Sequence, residues 1–252
     1  MKQGELPLCV KPDWQVSPKV HAFTTTRMGG VSKPPFGSMN LGLHVNDDPQ
    51  SVAENRRRLL STFKLPASPA WLNQTHSNRM VKLGNEPADS QADGSYTMSK
   101  DTVLCVMTAD CLPVVISDEI GTQIAVVHAG WRGLANGVLK NAIACFDQSL
   151  PLHAWLGPAI GPTKFEVGED VRKAFVSRTE EAAVNFKKTD KEGKYLADLY
   201  ALARTELTHS GCGFVTGADY CTHSQADLFH SHRRDGVRSG RMATLVWIDS
   251  DA

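Results

Sequence analysis

A mixed α/β domain, a single layered unit with a mixed β-sheet flanked by helices, is the fold class this sequence predicts. Long β-branched apolar runs, "VLCVMTADCLPVVIS" (103–117) and "TQIAVVHAGWRG" (122–133), have the character of buried strands. Other stretches, such as 47–63 and 195–211, space their apolar residues at helical intervals. Strand-like and helix-like segments mix irregularly along 252 residues with no repeat and no linker, which favours one domain over 1–252.

Each element has a local reason. "SPKVHAFTTTR" (17–27) reads as a strand, and "MGGVSKPPFGSMNLG" after it is a loop rich in Gly, Pro and Ser. In 47–63, Asp48-Pro49 suits a helix start, and Val52, Leu59, Leu60 and Phe63 form its apolar face. "AWLNQTHSNRMVKL" (70–83) reads as a strand, a polar corner and a second strand. The runs 103–117 and 122–133 flank "SDEIGT", a hairpin turn. A helix over 133–148 aligns Leu134, Val138, Ala142, Ile143 and Phe146. Helices follow at 168–178 and 195–211, the latter stopped by Gly211, and "RMATLVWID" (241–249) is a last strand. No GxGxxG follows the first strand, which removes the dinucleotide-binding version of this architecture.

Composition narrows the function. With 27 basic and 27 acidic residues, scattered, the net charge is zero, which argues against nucleic acid or a membrane surface as partner. No apolar run is long enough to span a bilayer, and "MKQGELPLCVKPDW" lacks the apolar core of a signal peptide. The six cysteines have no paired spacing and no CxxC, so they read as reduced thiols of a cytoplasmic protein.

The chemistry lies in the two central strands, which carry Asp110, Cys111 and His128. A hairpin centred on the Glu119–Ile120 bond makes Cys111 and His128 direct cross-strand partners, with Cβ atoms roughly 5 Å apart. Taken singly, each is as readily a plain core residue. Taken together, two functions compete. In one, His128 activates Cys111 as a nucleophile, with Asp110 or another polar group orienting the ring. In the other, both are zinc ligands, and His76 in the corner "NQTHS" is the best third. The histidines at 209, 223, 230 and 232 suit surface loops at least as well.

The motifs "TTTRMGGVS", "SMNLGLHVNDDP", "NQTHS", "TADCLPVV", "VHAGWRGLANGV", "GPAIGP", "FEVGEDV", "SHRRDG" and "GRMA" occur in that order. In this the chain resembles the YfiH family, also labelled laccase-domain or multicopper polyphenol oxidase proteins, from about residue 20 to 248. The resemblance implies a zinc site of His76, Cys111 and His128 in a single α/β domain. It also implies purine nucleosides and phosphate as partners: adenosine deamination, and phosphorolysis of adenosine, inosine, guanosine and methylthioadenosine. Alternatives are amide hydrolysis on peptidoglycan precursors and phenol oxidation with copper, Cu(2+). Thr163 and Lys164 stand where the family pattern has cysteines, and His230 and His232 where it has aromatics.

Deamination suits a zinc site with an open position, and Asp110 and Glu166 are the acids to test for proton transfer. Phosphorolysis needs an anion site. Arg132 beside the glycines of "HAGWRG", and Arg27 beside those of "TRMGG", are the substrate-binding candidates, with Trp131 and Phe36 for stacking on a purine. A multicopper oxidase needs further histidine clusters, and "HSH" at 230–232 is the one His-x-His here. A monomer or weak homodimer is expected.

Overall fold

In the computed structural model, which describes residues 7–84, 90–147 and 149–250, the chain forms two mixed sheets between helical layers. In chain order the strands begin with β1 (Cys9–Val10), β2 (Val20–Thr25), β3 (Ala70–Trp71), β4 (Met80–Lys82), β5 (Gly94–Thr97), β6 (Leu104–Thr108) and β7 (Leu112–Asp118). They continue with β8 (Ile124–Ala129), β9 (Leu152–Leu156), β10 (Glu166–Gly168), β11 (Phe186–Lys188), β12 (Lys194–Ala197), β13 (Phe214–Gly217) and β14 (Met242–Ile248). The helices are α1 (Pro49–Thr62), α2 (Trp131–Ala135), α3 (Val138–Ile143), α4 (Glu169–Val176), α5 (Leu199–His209) and α6 (His232–Asp235).

One sheet has the order β1-β2-β14-β6-β3, the second β13-β9-β7-β8-β5-β4, and β10-β12-β11 form a small third. The expected α/β fold with a mixed sheet flanked by helices is what the chain forms, with the strands divided among more than one sheet, and the run 103–117 shows the division. That run is two strands, β6 and β7, and they belong to different sheets. The break falls at Ala109-Asp110-Cys111, where Asp110 takes a left-handed backbone, φ +85°. The corner 72–79 makes the same crossing, from β3 in the first sheet to β4 in the second. Two sheet-to-sheet crossings therefore frame one seam.

Strand alternation assigns the layers. Leu112, Val114 and Ile116 of β7, with Ala125 and Val127 of β8, pack against Val138, Leu139 and Ala142 of α3 and Leu202 and Ala203 of α5. The opposite face, Val115, Ile124, Val126 and Trp155, meets Ala22, Leu104, Val106 and Val246 of the first sheet. On the outer side of that sheet Phe23, Cys105, Leu245 and Trp247 bury Leu59 of α1. Each large aliphatic buried this way stabilises by about 1.5–3 kcal/mol.

α1 begins as expected: Asp48 caps it, accepting from the backbone N–H of Ser51 (3.0 Å), and Pro49 opens the first turn. The helix expected over 133–148 is instead α2 and α3, broken at Asn136-Gly137 because Gly137 sits at φ +82°; Gln148 lies outside the described residues. The stretch 195–211 starts as strand β12 and becomes helix only after Asp198, whose carboxylate caps Ala201 N–H at 3.0 Å.

The hairpin register is also corrected. Pro113 faces His128 and Leu112 faces Ala129, so Cys111 is not the direct partner of His128. The turn is centred one residue later than expected. Gly121 takes the left-handed position at φ +71°, and the Asp118 carboxylate accepts from Thr122 N–H (2.9 Å) and Gln123 N–H (2.8 Å). This moves the pairing by two residues, and a two-residue shift keeps every side chain on its own face. Cys111 therefore stays on the face of His128, diagonal to it.

Candidate metal centre

At the seam, the donor atoms of His76, Cys111 and His128 all lie within 4.8 Å of one another. Cys111 Sγ is 4.0 Å from His76 Nε2, and the two imidazoles meet edge to face with centroids 4.9 Å apart. Local structure explains each placement. His76 sits at φ +60°, at the bend of the crossing corner; Cys111 follows the left-handed Asp110; and His128 is buried on the sheet face turned to the seam, before α2 begins.

Asp93, missed in the sequence, organises the centre. It is fully buried, and His128 Nδ1 lies 2.7 Å from its Oδ1. This bond leaves Nε2 of His128 to face the site. The same carboxylate accepts the backbone N–H groups of Thr75 (3.1 Å), His76 (3.0 Å) and Ser77 (2.6 Å), and the Ser77 hydroxyl (2.7 Å). One buried acid thus fixes the ring of one histidine and the backbone of the other. No spacing could reveal it, since Asp93 meets His128 only through the β5–β8 ladder, where His128 N–H donates to the Asp93 carbonyl at 2.6 Å. An Asp-Gly ahead of a strand was the only sign.

Electrostatics make the three donors one coupled group. Burial pushes the Cys111 thiol up, but the charge and hydrogen bonds of His128 and His76 outweigh it, and the net shift is down. Burial pushes the His128 imidazole down, but the Cys111 thiolate and Asp93 outweigh it and hold it above its ordinary value. Burial also works against the Asp93 carboxylate, yet its bonds from His128 and Ser77 hold it well below the usual range. The pair is poised as thiolate and imidazolium, the state from which a cation displaces a proton.

The donors fit a metal. Two imidazoles and a thiolate suit zinc or copper, and a tetrahedral zinc sets such atoms about 3.5 Å apart. Space is kept for an ion by Gly130: a Cβ there would lie 3.0 Å from His76 Cδ2, 3.1 Å from Cys111 Sγ and 3.4 Å from His128 Nε2. Gly130 has φ −61°, which alanine adopts freely, so Gly130→Ala changes the space and not the backbone. Its expected outcome is a folded protein whose zinc affinity, measured by competition with a chromophoric chelator, falls by about tenfold or more, a loss of roughly 1.4 kcal/mol.

The three donors line a cleft of about 580 Å³, with Trp131, Ile160 and Phe165 on its walls and Arg233, Arg241, His44 and His232 around them. Asp110 is the one carboxylate among the lining residues. It does not orient His128; Asp93 does. Asp110 Oδ1 instead accepts from the Thr222 hydroxyl and Oδ2 from the Arg233 N–H, both at 2.6 Å, which clasps the C-terminal loop over the cleft.

Other candidates sit elsewhere. Arg27 donates to the carbonyls of Gly37 and Ala226, both at 2.9 Å, and does not line the cleft; the Cβ of any residue at 30 would strike the Ser38 carbonyl, so Gly30 admits backbone rather than a ligand, and Gly29 takes a left-handed φ of +87°. Arg132 is exposed, its guanidinium 4.4 Å over the Trp131 ring. Phe36 is buried away from the cleft. The Glu166 carboxylate is tied to Lys191 (3.1 Å) at the surface. His230 is no surface residue: it is fully buried, and burial and the nearby Arg27 drive its imidazole down to about 3.

The chain is similar in sequence to known proteins. Residues 21–249 match the family model described as multi-copper polyphenol oxidoreductase laccase. A relative from Escherichia coli (strain K12), named purine nucleoside phosphorylase YfiH, is 46% identical over 95% of this chain and 98% of its own length. A Haemophilus influenzae relative named purine nucleoside phosphorylase is 44% identical over 95% of this chain and 99% of its own. Among solved structures, a Neisseria meningitidis protein of family DUF152 superposes with TM-score 0.90 at 45% identity, over 97% of this chain and all of that one. YlmD from Geobacillus stearothermophilus gives 0.88 at 28% identity, over 98% of both chains.

Proposed function

The chain belongs to the family described as multi-copper polyphenol oxidoreductase laccase, which includes the YfiH proteins, and from that premise we propose that it is a zinc-dependent purine nucleoside enzyme. It cleaves adenosine, inosine, guanosine and methylthioadenosine with phosphate and deaminates adenosine to inosine, in the cleft over His76, Cys111 and His128. The observation that carries this reading is the convergence of three metal donors in a cleft of about 580 Å³. Ligand sites span roughly 300–1,000 Å³. The names of the relatives supply the substrate class.

Zinc held by these donors supplies Lewis-acid activation of water or of a substrate oxygen. The chain's own residues do the rest. Asp93 holds the His128 tautomer and its donor direction. Trp131 and Phe165 offer aromatic faces to a purine. Asp110 is the one lining carboxylate; each oxygen accepts one hydrogen bond, from Thr222 and from the Arg233 main-chain N–H, and the lone pairs left over are what it offers for proton transfer between water and leaving ammonia. Arg132, the second residue of α2, is not itself a lining residue but holds its guanidinium over the ring of Trp131, which is, and in this reading it binds substrate from there.

In deamination, water adds at C6 and ammonia leaves, giving inosine. In phosphorolysis, a phosphate oxygen bonds to C1′ as the C1′–N9 bond breaks. The electron pair goes to N9, the purine takes the proton of hydrogenphosphate, and ribose 1-phosphate, or 5-methylthioribose 1-phosphate from methylthioadenosine, is released. Phenol oxidation is disfavoured by the donor set. Among the described residues one His/Cys/Asp/Glu group of metal-binding geometry occurs, and coupled copper chemistry needs several ions.

The test supplies adenosine, inosine with phosphate, a peptidoglycan precursor and a phenol in parallel to the zinc-loaded protein. Inosine from adenosine and hypoxanthine from inosine are expected, both abolished by chelation and restored by about one zinc per chain. Turnover confined to the precursor or to the phenol overturns the reading.

A further inference from the structure

Arg241 lies just before β14 and is half-buried in the wall of the cleft. Its main-chain N–H is held by Asn40 Oδ1 (2.9 Å), and its Nη1 donates to the carbonyls of Ser239 (2.7 Å) and Gly240 (3.0 Å). These contacts fix the side chain without neutralising it, and among the described residues no carboxylate forms an ion pair with it. A guanidinium taken partly from water without an acid partner is costly unless an anion arrives. Cys111 and Asp110 are near enough to feel its charge, but each is committed, Cys111 to the two histidines and Asp110 to Thr222 and the Arg233 N–H.

Arg233 reaches the same cleft from the C-terminal loop. Its Nη1 also takes a carbonyl, that of Glu166 at 2.9 Å, and its guanidinium lies 5.5 Å from the Phe165 ring. Its neighbour Arg234 is the contrast: it is paired with Asp235 at 2.8 Å and does not line the cleft. Two cations held by neutral acceptors thus share one cleft with a thiolate and a carboxylate, where a dianion would otherwise be repelled.

We propose that Arg241 and Arg233 form the oxyanion subsite of the cleft and hold inorganic phosphate beside the His76–Cys111–His128 group. The proposal rests on the phosphorolytic reading and assigns it the anion site that Arg27, turned to Gly37 and Ala226, does not provide. Guanidinium forks match phosphate oxygens in a planar, two-point contact. The subsite orients the phosphate and offsets the charge of Cys111 and Asp110 while the C1′–O bond forms.

The experiment compares zinc-loaded wild type with Arg241→Gln, Arg241→Lys and Arg233→Gln. Initial rates of inosine cleavage are measured against phosphate and against inosine. Thermal unfolding is followed with phosphate, sulfate or acetate added. In both Gln variants KM for phosphate is expected to rise about tenfold or more and KM for inosine by less than about threefold, with part of the loss returned by Arg241→Lys. Phosphate and sulfate raise the wild-type Tm, and neither Gln variant keeps that gain. Arg233 is exposed, so its variant reads out the subsite even where Arg241→Gln fails to fold. KM for phosphate within about twofold of wild type in the folded Gln variants overturns the proposal, as does protection by acetate equal to that by phosphate. If the wild type cleaves no nucleoside, the functional reading fails by itself, and phosphate protection in wild type and variants still decides the subsite.

Discussion

Alanine at position 111 is expected to leave a folded chain that holds zinc more than about 1,000-fold more weakly than wild type, well beyond the roughly 10–100-fold that loss of an outer-sphere partner costs. Cys111 is the single thiolate of the donor set, and without it two imidazoles remain. Packing changes little, because a half-buried thiol becomes a methyl, at a cost of about 1 kcal/mol. Zinc content after dialysis and adenosine deamination should both vanish while the far-ultraviolet spectrum stays native. In the metal-free variant the His128 imidazole titrates lower than in wild type, since the thiolate that helps to hold it up is gone. Asp93 still opposes that fall. The result separates a ligand from a covalent nucleophile when Cys111→Asp is added. Zinc accepts a carboxylate oxygen, so the aspartate variant regains metal and part of the activity. A nucleophilic cysteine predicts the reverse: Cys111→Ala keeps its zinc, and Cys111→Asp stays inactive.

What the sequence made legible follows from what periodicity encodes. The faces of β7 and β8 were readable because alternation places Cys111 and His128 on one side whatever the turn does in steps of two. The register was not, because the Asp118 carboxylate and Gly121 decide it through hydrogen bonds invisible in a hydrophobic pattern. The division of 103–117 into β6 and β7 was hidden for the same reason: apolar character runs through both, and only the left-handed Asp110 marks the crossing. His76 was found as a polar histidine between two strands. Asp93 was not, because a ladder contact joins it to His128 across 35 positions. Arg27 looked like a ligand-binding cation beside glycines, yet backbone carbonyls 37 and 226 claim it. Whether a cation meets a ligand or a carbonyl depends on loop closure, which composition does not record.

Removing the Asp93 side chain is expected to damage stability and metal binding together. In Asp93→Ala the backbone N–H groups of Thr75, His76 and Ser77 lose their acceptor, and His128 Nδ1 loses the carboxylate that fixes its tautomer. Breaking a buried charged partnership of this kind costs about 3 kcal/mol or more. Chemical denaturation of the metal-free protein should show that loss as a lower midpoint with an unchanged slope. Zinc affinity should fall by about 10–100-fold, since the donor nitrogen of His128 is no longer aimed and the bend carrying His76 is no longer held. Acidity provides the independent check. The folded-state Asp93 carboxyl is held below its unfolded value, so its contribution is complete above the ordinary carboxylate range and is lost as pH falls through and below that range. Asp93→Asn keeps the shape and removes that titration, so between about pH 5 and pH 2 its stability should decline less steeply than that of wild type. Equal acid slopes in the two proteins would place the charge of Asp93 outside the folding equilibrium. Equal zinc affinity in Asp93→Ala and wild type would show that His128 finds its direction from packing alone.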